Sequence, residues 1–445
     1  IHEEYDGSKV VVCRQQQIFN EFSSGTPDAM AIRRLVKMVY DRAPERLKGV
    51  LMYGTSTSDN RHILRTPVSE RLLIYEVLPV GSGMESATRF PETHFGTDNY
   101  YGMVDGNFDP TRMYRALMKV PVTRLPVSDA GVGHKVNEKI RNYLSNKSFA
   151  MYPRVLLTAD DGDNNSHFAD SWEMGEKMME VNPSLCRINA QLSLYPRPDK
   201  KATGATSQIF SAMDAGVGFF NYCGHGKEDS FTDKNLLDLA KIKTMSNRML
   251  PVAMISSCFT NMYDTEGSAS ITQEMVLHPT GGMIAAIGAS RSVFQNLNQT
   301  FNIAVGRAYA GATAGLTVGS LYMNAVNSII TTSNTSSTDN LRLNTLCYGM
   351  VGDPLVPLPA PDYSVRVLTI GDTDVAGTGA VAELTPMTRV RISGDLSGAD
   401  AAAFNGKIEL RLYDGAQSVS TIDEPGQKDP DYPYDKEQDF HLLTT

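Results

Sequence analysis

The sequence predicts an α/β protein: a mostly parallel sheet flanked by helices, followed by an all-β region. Along residues 1–361, short apolar runs alternate with amphipathic helical segments, the pattern of a layered α/β domain. Several of these runs are apolar throughout, which is typical of parallel strands covered on both faces. After residue 362 polar and apolar residues alternate instead, as in strands with one exposed face.

The N-terminal part, residues 1–150, is predicted to be an α/β subdomain. Apolar residues between positions 29 and 40 fall on one helical face, and Thr26 and Pro27 provide a cap and a first helical position. We predict strands at 9–13, 47–54 and 70–78, and helices at 29–40 and 134–144.

A second α/β subdomain is predicted for residues 151–361. Strands are expected at 154–159 and 283–289 and within the segments 217–226 and 251–258, and helices at 233–247, 268–277 and 300–309. The Ser/Thr/Asn-rich stretch 331–340 is expected to be a loop, and Pro357, Pro359 and Pro361 to form a linker. Residues 362–445 should then form part of an Ig-like β-sandwich, with strands at 365–368, 388–392 and 407–412.

Composition narrows the class of protein. The 445 residues are 41% hydrophobic and 20% charged, as in globular proteins, and the net charge of −9 argues against nucleic acid as a partner. No apolar run is long enough to span a membrane as a helix. The chain begins at Ile1 without a recognisable signal peptide, so we expect it to be a piece of a longer precursor. Five widely spaced cysteines argue against a structural zinc site or a disulfide scaffold.

Two of the apolar runs end beside reactive side chains, His225 and Cys258. If the two strands are parallel neighbours joined by a crossover helix, the imidazole and the thiol emerge together at the carboxyl edge of the sheet. An imidazole can take the proton of a thiol and later return one to a leaving amine. The sequence therefore predicts a Cys–His dyad, with Cys223 as a second candidate nucleophile nearer the core.

The glycines on both sides of His225 remove side-chain bulk, which would let a substrate backbone approach closely. The backbone amides of Gly226 and Cys258 are then candidate donors to an oxyanion. The alternatives are plain: a cysteine at a strand end is usually a small inert apolar residue, and glycines around a histidine also build tight turns.

An acidic stretch, DDGDNNSH at 160–167, follows the predicted strand 154–159 directly. Its carboxylates could orient an imidazole or bind a hard cation through oxygen ligands. A solvated acidic turn is the other interpretation, and the sequence alone does not separate the three.

Three motifs resemble the gingipain-type cysteine peptidases, a family with a caspase-like fold: NYCGHG at 221–226, SSCFTN at 256–261 and GDP at 352–354. The stretches 19–28 and 158–163 are more similar to the branch that serves as the sortase of the bacterial type IX secretion system. The resemblance covers roughly residues 15–361, and the β-rich remainder is similar to the Ig-like region that follows in that branch.

The resemblance implies roles for individual residues. Cys258 would be the nucleophile and His225 the general base and acid, with the amides of Gly226 and Cys258 as oxyanion donors. The acidic residue that orients the histidine would fall at Asp160 or Asp161. No cofactor is required, but a structural calcium ion is expected in the acidic loop, on Asp161, Asp163 and Asn165.

The resemblance also implies a function. Exported cargo would be cleaved at its C-terminal sorting domain through a thioester, and an amine of anionic lipopolysaccharide would accept the cargo. The protein would lie on the outer-membrane surface of a Gram-negative bacterium and be held there by an outer-membrane secretion-system protein. Two alternatives stay open: a secreted gingipain-like endopeptidase that uses water as acceptor, and an inactive surface binding module.

Overall fold

A computed structural model gives the fold. It describes residues 1–60, 63, 71–77, 94–145, 153–197, 200–265, 270–313, 315–332, 336–358, 363–377, 380–398, 401–406, 408, 410, 412–413, 417–419, 421–422, 436–438 and 442–444.

The helices, in chain order, are α1 (His2–Tyr5), α2 (Gln15–Phe22), α3 (Ala29–Arg42), α4 (Asn99–Gly102), α5 (Ala130–Ser145), α6 (Ser166–Val181), α7 (Thr203–Ala215), α8 (Leu239–Ile242), α9 (Ile271–Leu277), α10 (Gln295–Ala310), α11 (Val318–Ile330) and α12 (Ser336–Leu346). Short 3₁₀ segments lie at Pro110–Arg115, Leu192–Leu194 and Ala401–Ala403. Among the described residues, no helix is long and apolar enough to cross a membrane.

The strands are β1 (Val50–Tyr53), β2 (Tyr75–Val77), β3 (Phe95–Thr97), β4 (Val122–Leu125), β5 (Arg154–Ala159), β6 (Cys186–Asn189), β7 (Phe219–Cys223), β8 (Ser230–Phe231), β9 (Leu237–Asp238), β10 (Val252–Ser256), β11 (Ala285–Ala289), β12 (Tyr348–Val351), β13 (Tyr363–Ile370), β14 (Thr373–Asp374), β15 (Ile392–Gly398), β16 (Leu412–Tyr413), β17 (Gln417–Val419), β18 (Lys436–Gln438) and β19 (Leu442–Thr444).

An eight-stranded sheet forms the centre of the molecule, in the order β1-β4-β12-β11-β10-β7-β5-β6. Strands β11, β10, β7, β5 and β6 are mutually parallel, whereas β12 runs antiparallel to β11. Strands β4 and β1 run parallel to β12. The predicted mostly parallel α/β sheet is therefore confirmed. It consists of two parallel blocks of strands that run in opposite directions and meet at β11 and β12.

The middle of the sheet fixes the place of the site. Strand β7 lies between β5 and β10, and Cys223 is in register with Ala159 on one side and Ser256 on the other. Strands β7 and β10 are fully buried. Since the three strands are parallel and end at the same level, the chain segments that follow them meet at one carboxyl edge.

Several predicted elements are confirmed, most closely the strand 154–159, which is β5. The helix predicted at 29–40 is α3, although Asp28 rather than Thr26 is its cap, because the Asp28 side chain accepts from the Met30 amide. Helices α5, α9 and α10 and strands β1, β2 and β11 overlap the predicted segments.

The crossover helix predicted at 233–247 is wrong. This connection holds the hairpin β8–β9 and only one helical turn, α8. Thr232 and Asn235 have positive φ, which a helix cannot accommodate, and buried Leu236 and Leu237 pack into the core beside them. Strands β7 and β10 are parallel neighbours nevertheless.

Two other predictions are wrong: the strand at 9–13, which has no tertiary contacts to support it, and the loop at 331–340, part of which tertiary contacts hold in a helix. Residues 9–13 form no strand, since Val11 and Val12 lie in solvent away from the sheet. The loop predicted at 331–340 overlaps the start of α12, where Asp339 is buried and ion-paired with Arg342. Short polar side chains favour a loop locally, but this buried ion pair favours the helix.

The C-terminal region is all-β in its described residues, apart from one 3₁₀ turn. Strand β13 pairs antiparallel with β14 and β15. The strand predicted at 388–392 starts later than expected, because β15 begins at Ile392, and part of 407–412 lies outside the described residues. The division of the chain at 150 and 361 stays a prediction.

Candidate active site

His225 follows β7 after a single glycine, and the buried ring of Tyr222 fixes its main chain. The Tyr222 hydroxyl donates a hydrogen bond of 2.7 Å to the carbonyl oxygen of His225. The same ring stacks on Phe231 of the hairpin, with 4.1 Å between centroids. A strand residue and the following hairpin therefore hold the turn that carries the imidazole.

The two glycines beside His225 are required by packing within the protein. A Cβ on Gly224 would lie 2.6 Å from the Cβ of Asp160. A Cβ on Gly226 would lie 3.0 Å from the carbonyl oxygen of Cys258 and would clash with the Ser257 hydroxyl. The sequence suggested that these glycines admit a substrate. The structure shows that they let the loops after β5, β7 and β10 pack against one another.

Cys258 lies two residues beyond β10, in a tight turn. The next residue, Phe259, has φ 58°, a left-handed conformation that is costly for a side chain other than glycine. The Cys258 thiol donates to the carbonyl of Val293 at 3.3 Å, and the Val293 amide donates to the sulfur at 3.4 Å. Burial raises the pKa of Cys258, and the amide only partly offsets this, so the thiol is protonated at neutral pH.

The imidazole of His225 is 62% exposed and lies against Asp163, with 3.3 Å between Nε2 and Oδ2. It also packs edge-on against the ring of His167, 5.1 Å away. Among the hydrogen bonds of the described chain, none joins His225 to Cys258. The structure thus brings the two loops together and places the two reactive atoms on different partners, and the predicted dyad stays a prediction.

Asp160 and Asp161 form a buried charge cluster with cations from distant loops. Lys234 lies 2.5 Å from Asp161 and 3.3 Å from Asp160, and Arg197 lies 2.8 Å from Asp161. Asp160 also accepts from the Thr232 hydroxyl at 3.0 Å. Burial raises the pKa of Asp161, and Lys234 opposes this shift. These contacts tie both carboxylates to other groups, and it is Asp163 that contacts the imidazole.

The predicted calcium ligands do not share a partner. Asp161 pairs with the two cations, Asp163 lies against His225, and the side-chain oxygen of Asn165 accepts from Ser193 at 2.6 Å. A calcium ion needs six to eight oxygen ligands around one point. In this arrangement the three side chains do not surround one point, so they do not fit a calcium ion.

The backbone N–H of Gly226 makes no hydrogen bond to another backbone group of the described residues, so it is available to bind an oxyanion. Gly226 faces Phe231 across an antiparallel bridge, whose two hydrogen bonds run from Lys227 to Ser230 and from Thr232 to His225. In this type of pair the N–H of Gly226 points away from the neighbouring strand. Within the described residues, neither this amide nor that of Cys258 has a backbone acceptor.

Cys223, the rival nucleophile, is buried inside β7. Asn302 donates to its sulfur at 3.3 Å, and burial raises its pKa well above the ordinary value. An inaccessible, protonated thiol is unreactive, which supports the lower rank that strand position gave it.

Sequence analysis missed three residues of this region: His167, Arg197 and Lys234. His167 stood within the acidic stretch, four residues after Asp163, which is the spacing that places two side chains on one side of a helical turn. The two cations carried no local pattern, because they come from separate loops.

Fold and site together define an α/β protein with a cysteine and a histidine at the ends of adjacent parallel strands, the class of the caspase-like cysteine peptidases. The sequence matches peptidase family C25 over residues 1–359, and the chain belongs to this family. Membership implies cysteine peptidase activity. Among curated proteins, none matches the chain.

Solved structures show the same fold. The Arg specific cysteine proteinase gingipain R (RgpB) is 15% identical with a TM-score of 0.55, over 78% of this chain and 73% of that one. The complex of the RgpB pro- and mature domains from Porphyromonas gingivalis is 15% identical with a TM-score of 0.56, over 78% of this chain and 74% of that one. Dimeric latent PorU from Porphyromonas gingivalis is 19% identical with a TM-score of 0.44, over 99% of this chain and 35% of that one. For the two RgpB structures, identities this low establish the fold and nothing finer, and the PorU comparison, with a TM-score below 0.5, carries no argument.

Proposed function

We propose that the protein is a cysteine peptidase whose nucleophile is Cys258 and whose general base is His225. The observation that carries the proposal is the contact between the two loops: Gly226, next to the histidine, packs directly on the carbonyl of Cys258. We expect the two side chains to meet by rotating about their own bonds when a substrate binds.

The chemistry follows from these groups. The imidazole takes the thiol proton, the thiolate attacks the substrate carbonyl, and the amides of Gly226 and Cys258 stabilise the oxyanion. The protonated imidazole then gives its proton to the leaving amine, which leaves a thioester on Cys258. An acceptor nucleophile loses a proton to the imidazole, attacks the thioester and releases the thiol.

Asp163 takes the orienting role in this proposal. Its carboxylate is the one that contacts the His225 ring, at 3.3 Å. A carboxylate on one ring nitrogen fixes the tautomer and stabilises the imidazolium that forms when the other nitrogen takes a proton. Asp160 and Asp161 instead hold Lys234 and Arg197, and so fix the loop from which Asp163 projects.

For the acceptor, we propose an amine of anionic lipopolysaccharide, which makes the enzyme a sortase. The acyl group would come from exported cargo cleaved at its C-terminal sorting domain, on the outer-membrane surface and beside an outer-membrane secretion-system protein. The support is the similarity of residues 19–28 and 158–163 to the sortase branch of the family. Water can also attack a thioester, which would make the enzyme a hydrolase instead.

Turnover of a cargo with a C-terminal sorting domain tests the proposal. We would follow the product by intact mass spectrometry with a simple primary amine present, using the unaltered protein, Cys258→Ala and His225→Ala. The expected product is cargo joined to the amine, and both variants should lose at least about a thousandfold in rate. Free acid alone identifies a hydrolase, and full activity of Cys258→Ala contradicts the mechanism.

A further inference from the structure

Three potential metal ligands meet beside the candidate site: Asp163, His167 and His225. The Asp163 Oδ2 atom lies 3.3 Å from His225 Nε2 and 3.4 Å from His167 Nε2. One potential ligand atom from each of the three side chains lies within 4.8 Å of the other two. Asp163 lies in the turn before α6, His167 lies in the first turn of α6, and His225 follows β7.

These distances suit a metal ion better than direct hydrogen bonds. Bonds of 2.0–2.1 Å to a tetrahedral zinc ion place the ligand atoms about 3.4 Å apart. A charge-assisted hydrogen bond between imidazole and carboxylate is shorter, at about 2.7–2.9 Å. The two measured separations are compatible with ligands around one ion.

His167 provides an independent observation. The residue is only 6% exposed, and its Nε2 atom makes no hydrogen bond of normal geometry with any described residue. Leaving a buried polar atom unsatisfied costs about 1–3 kcal/mol, so such atoms call for a partner.

The ligand types select the ion. Two imidazole nitrogens and one carboxylate suit Zn²⁺ and neighbouring transition metals, whereas Ca²⁺ and Mg²⁺ take oxygen ligands. Three protein ligands leave the fourth tetrahedral position to water. This set is distinct from the oxygen ligands that the acidic stretch suggested, because two of its members are histidines.

We propose that Asp163, His167 and His225 form a Zn²⁺ site that switches the peptidase off. The regulatory part rests on the proposed function, because His225 is its general base. A neutral imidazole has one lone pair on a ring nitrogen and one N–H. With Zn²⁺ on Nε2, the other nitrogen carries the proton and cannot accept one from Cys258, and Asp163 no longer orients the ring.

The test is calorimetric titration of the metal-free 445-residue chain with Zn²⁺. We expect one ion per chain, and a loss of at least about a hundredfold in affinity for both His167→Gln and Asp163→Asn, since losing even an outer partner of a ligand costs 10–100-fold. Asp163 is largely exposed, so its variant should fold normally. His134→Gln, on the exposed face of α5, is the matched control and should bind as the unaltered protein does.

Three results would overturn the site: no bound ion, unchanged affinity in both ligand variants, or a loss of affinity in Cys258→Ala or Cys13→Ala instead. For the switch, the Zn²⁺ concentration that halves cargo turnover should rise at least about a hundredfold in His167→Gln. Turnover that continues at saturating Zn²⁺ would contradict it. If the metal-free protein has no turnover, the proposed function fails while the calorimetry still decides the metal site.

Discussion

At the scale of single residues, the thiol of Cys258 and the imidazole of His225 have different partners although their loops touch. The thiol exchanges hydrogen bonds with the backbone of Val293, and the imidazole lies against Asp163. This arrangement is one in which the nucleophile rests protonated.

The pKa of Cys258 leads to a prediction about its reactivity. Because burial raises that pKa, alkylation by iodoacetamide should be slow at neutral pH and should accelerate about tenfold per pH unit up to pH 9 or above. Peptide mass spectrometry between about pH 6 and about pH 10 measures this, with exposed Cys13 as the internal comparison. A rate that is already high and flat near neutrality would contradict it, since it would indicate a thiolate paired with an imidazolium.

Gly226 gives a second prediction at this scale. In Gly226→Ala the new Cβ would meet Ser257, Thr260 and the carbonyl of Cys258, so one of the two loops must move. Since Gly226 is also a proposed oxyanion donor, kcat/KM should fall at least about a hundredfold. Gly106→Ala is the matched control, because no atom lies within 4 Å of its added Cβ. Equal activity of the two variants would exclude Gly226 from the site.

At the scale of secondary structure, the site depends on three parallel strands that end at the same level. Strand β5 leads into the acidic turn, β7 into the histidine turn and β10 into the cysteine turn. Their backbone ladders set the spacing of these turns. The hairpin β8–β9 then supports the histidine turn from outside, through the contact of Phe231 with Tyr222.

Tyr222 tests how far this support matters. Tyr222→Phe removes the hydroxyl that holds the His225 carbonyl, and should cost about 1 kcal/mol of stability and about tenfold in kcat, with little change in KM. Tyr143→Phe is the control: its hydroxyl bonds the carbonyl of Pro357 at 3.0 Å, away from the site. Urea unfolding and steady-state kinetics should show similar stability losses and a kinetic loss only in Tyr222→Phe. A kinetic loss of the same size in both would mean that Tyr222 has no positioning role.

At the scale of the whole molecule, a partly buried acid lies between the N-terminal part and the region of the site. Glu76 lies on β2, and the groups near it are Asp264, Arg291 and His94. Burial, and secondarily the carboxylate of Asp264, raise the pKa of Glu76 to about 7. Arg291 does not cancel this shift, because it is already paired through both nitrogens with Asp264, at 2.7 and 2.8 Å.

The shifted pKa of Glu76 predicts how stability depends on pH. The folded protein binds this proton more tightly than the unfolded chain, so the free energy of unfolding should fall as pH rises from 4.5 to about 7. At about 1.4 kcal/mol per pKa unit the total is about 3 kcal/mol. Glu76→Gln should lose this dependence and be more stable than the unaltered protein at about pH 8 in urea unfolding.

Glu45→Gln, at an exposed position, is the control for this prediction and should keep the full pH dependence. If Glu76→Gln is less stable than the unaltered protein at every pH, the carboxylate is charged and paired in the folded state, and the predicted direction is wrong.

The sequence by itself determined four buried strands of the central sheet and the candidate nucleophile and base. The runs that became β5, β7, β10 and β11 are mostly apolar, and burial in the core removes their side chains from water. Their ends located His225 and Cys258 at one edge, since parallel strands impose that geometry.

Tertiary structure alone decided what contacts these residues. The connection between β7 and β10 became a hairpin followed by one helical turn. Lys234 and Arg197 reached the acidic turn from loops with no local pattern, whereas His167 belongs to the acidic stretch itself. Asp160, Asp161 and Asp163 are equivalent as a run of carboxylates, but two are buried with cations and one lies against an imidazole. The physical reason is that pairing between charges depends on distance in space, which the order of residues along the chain does not encode.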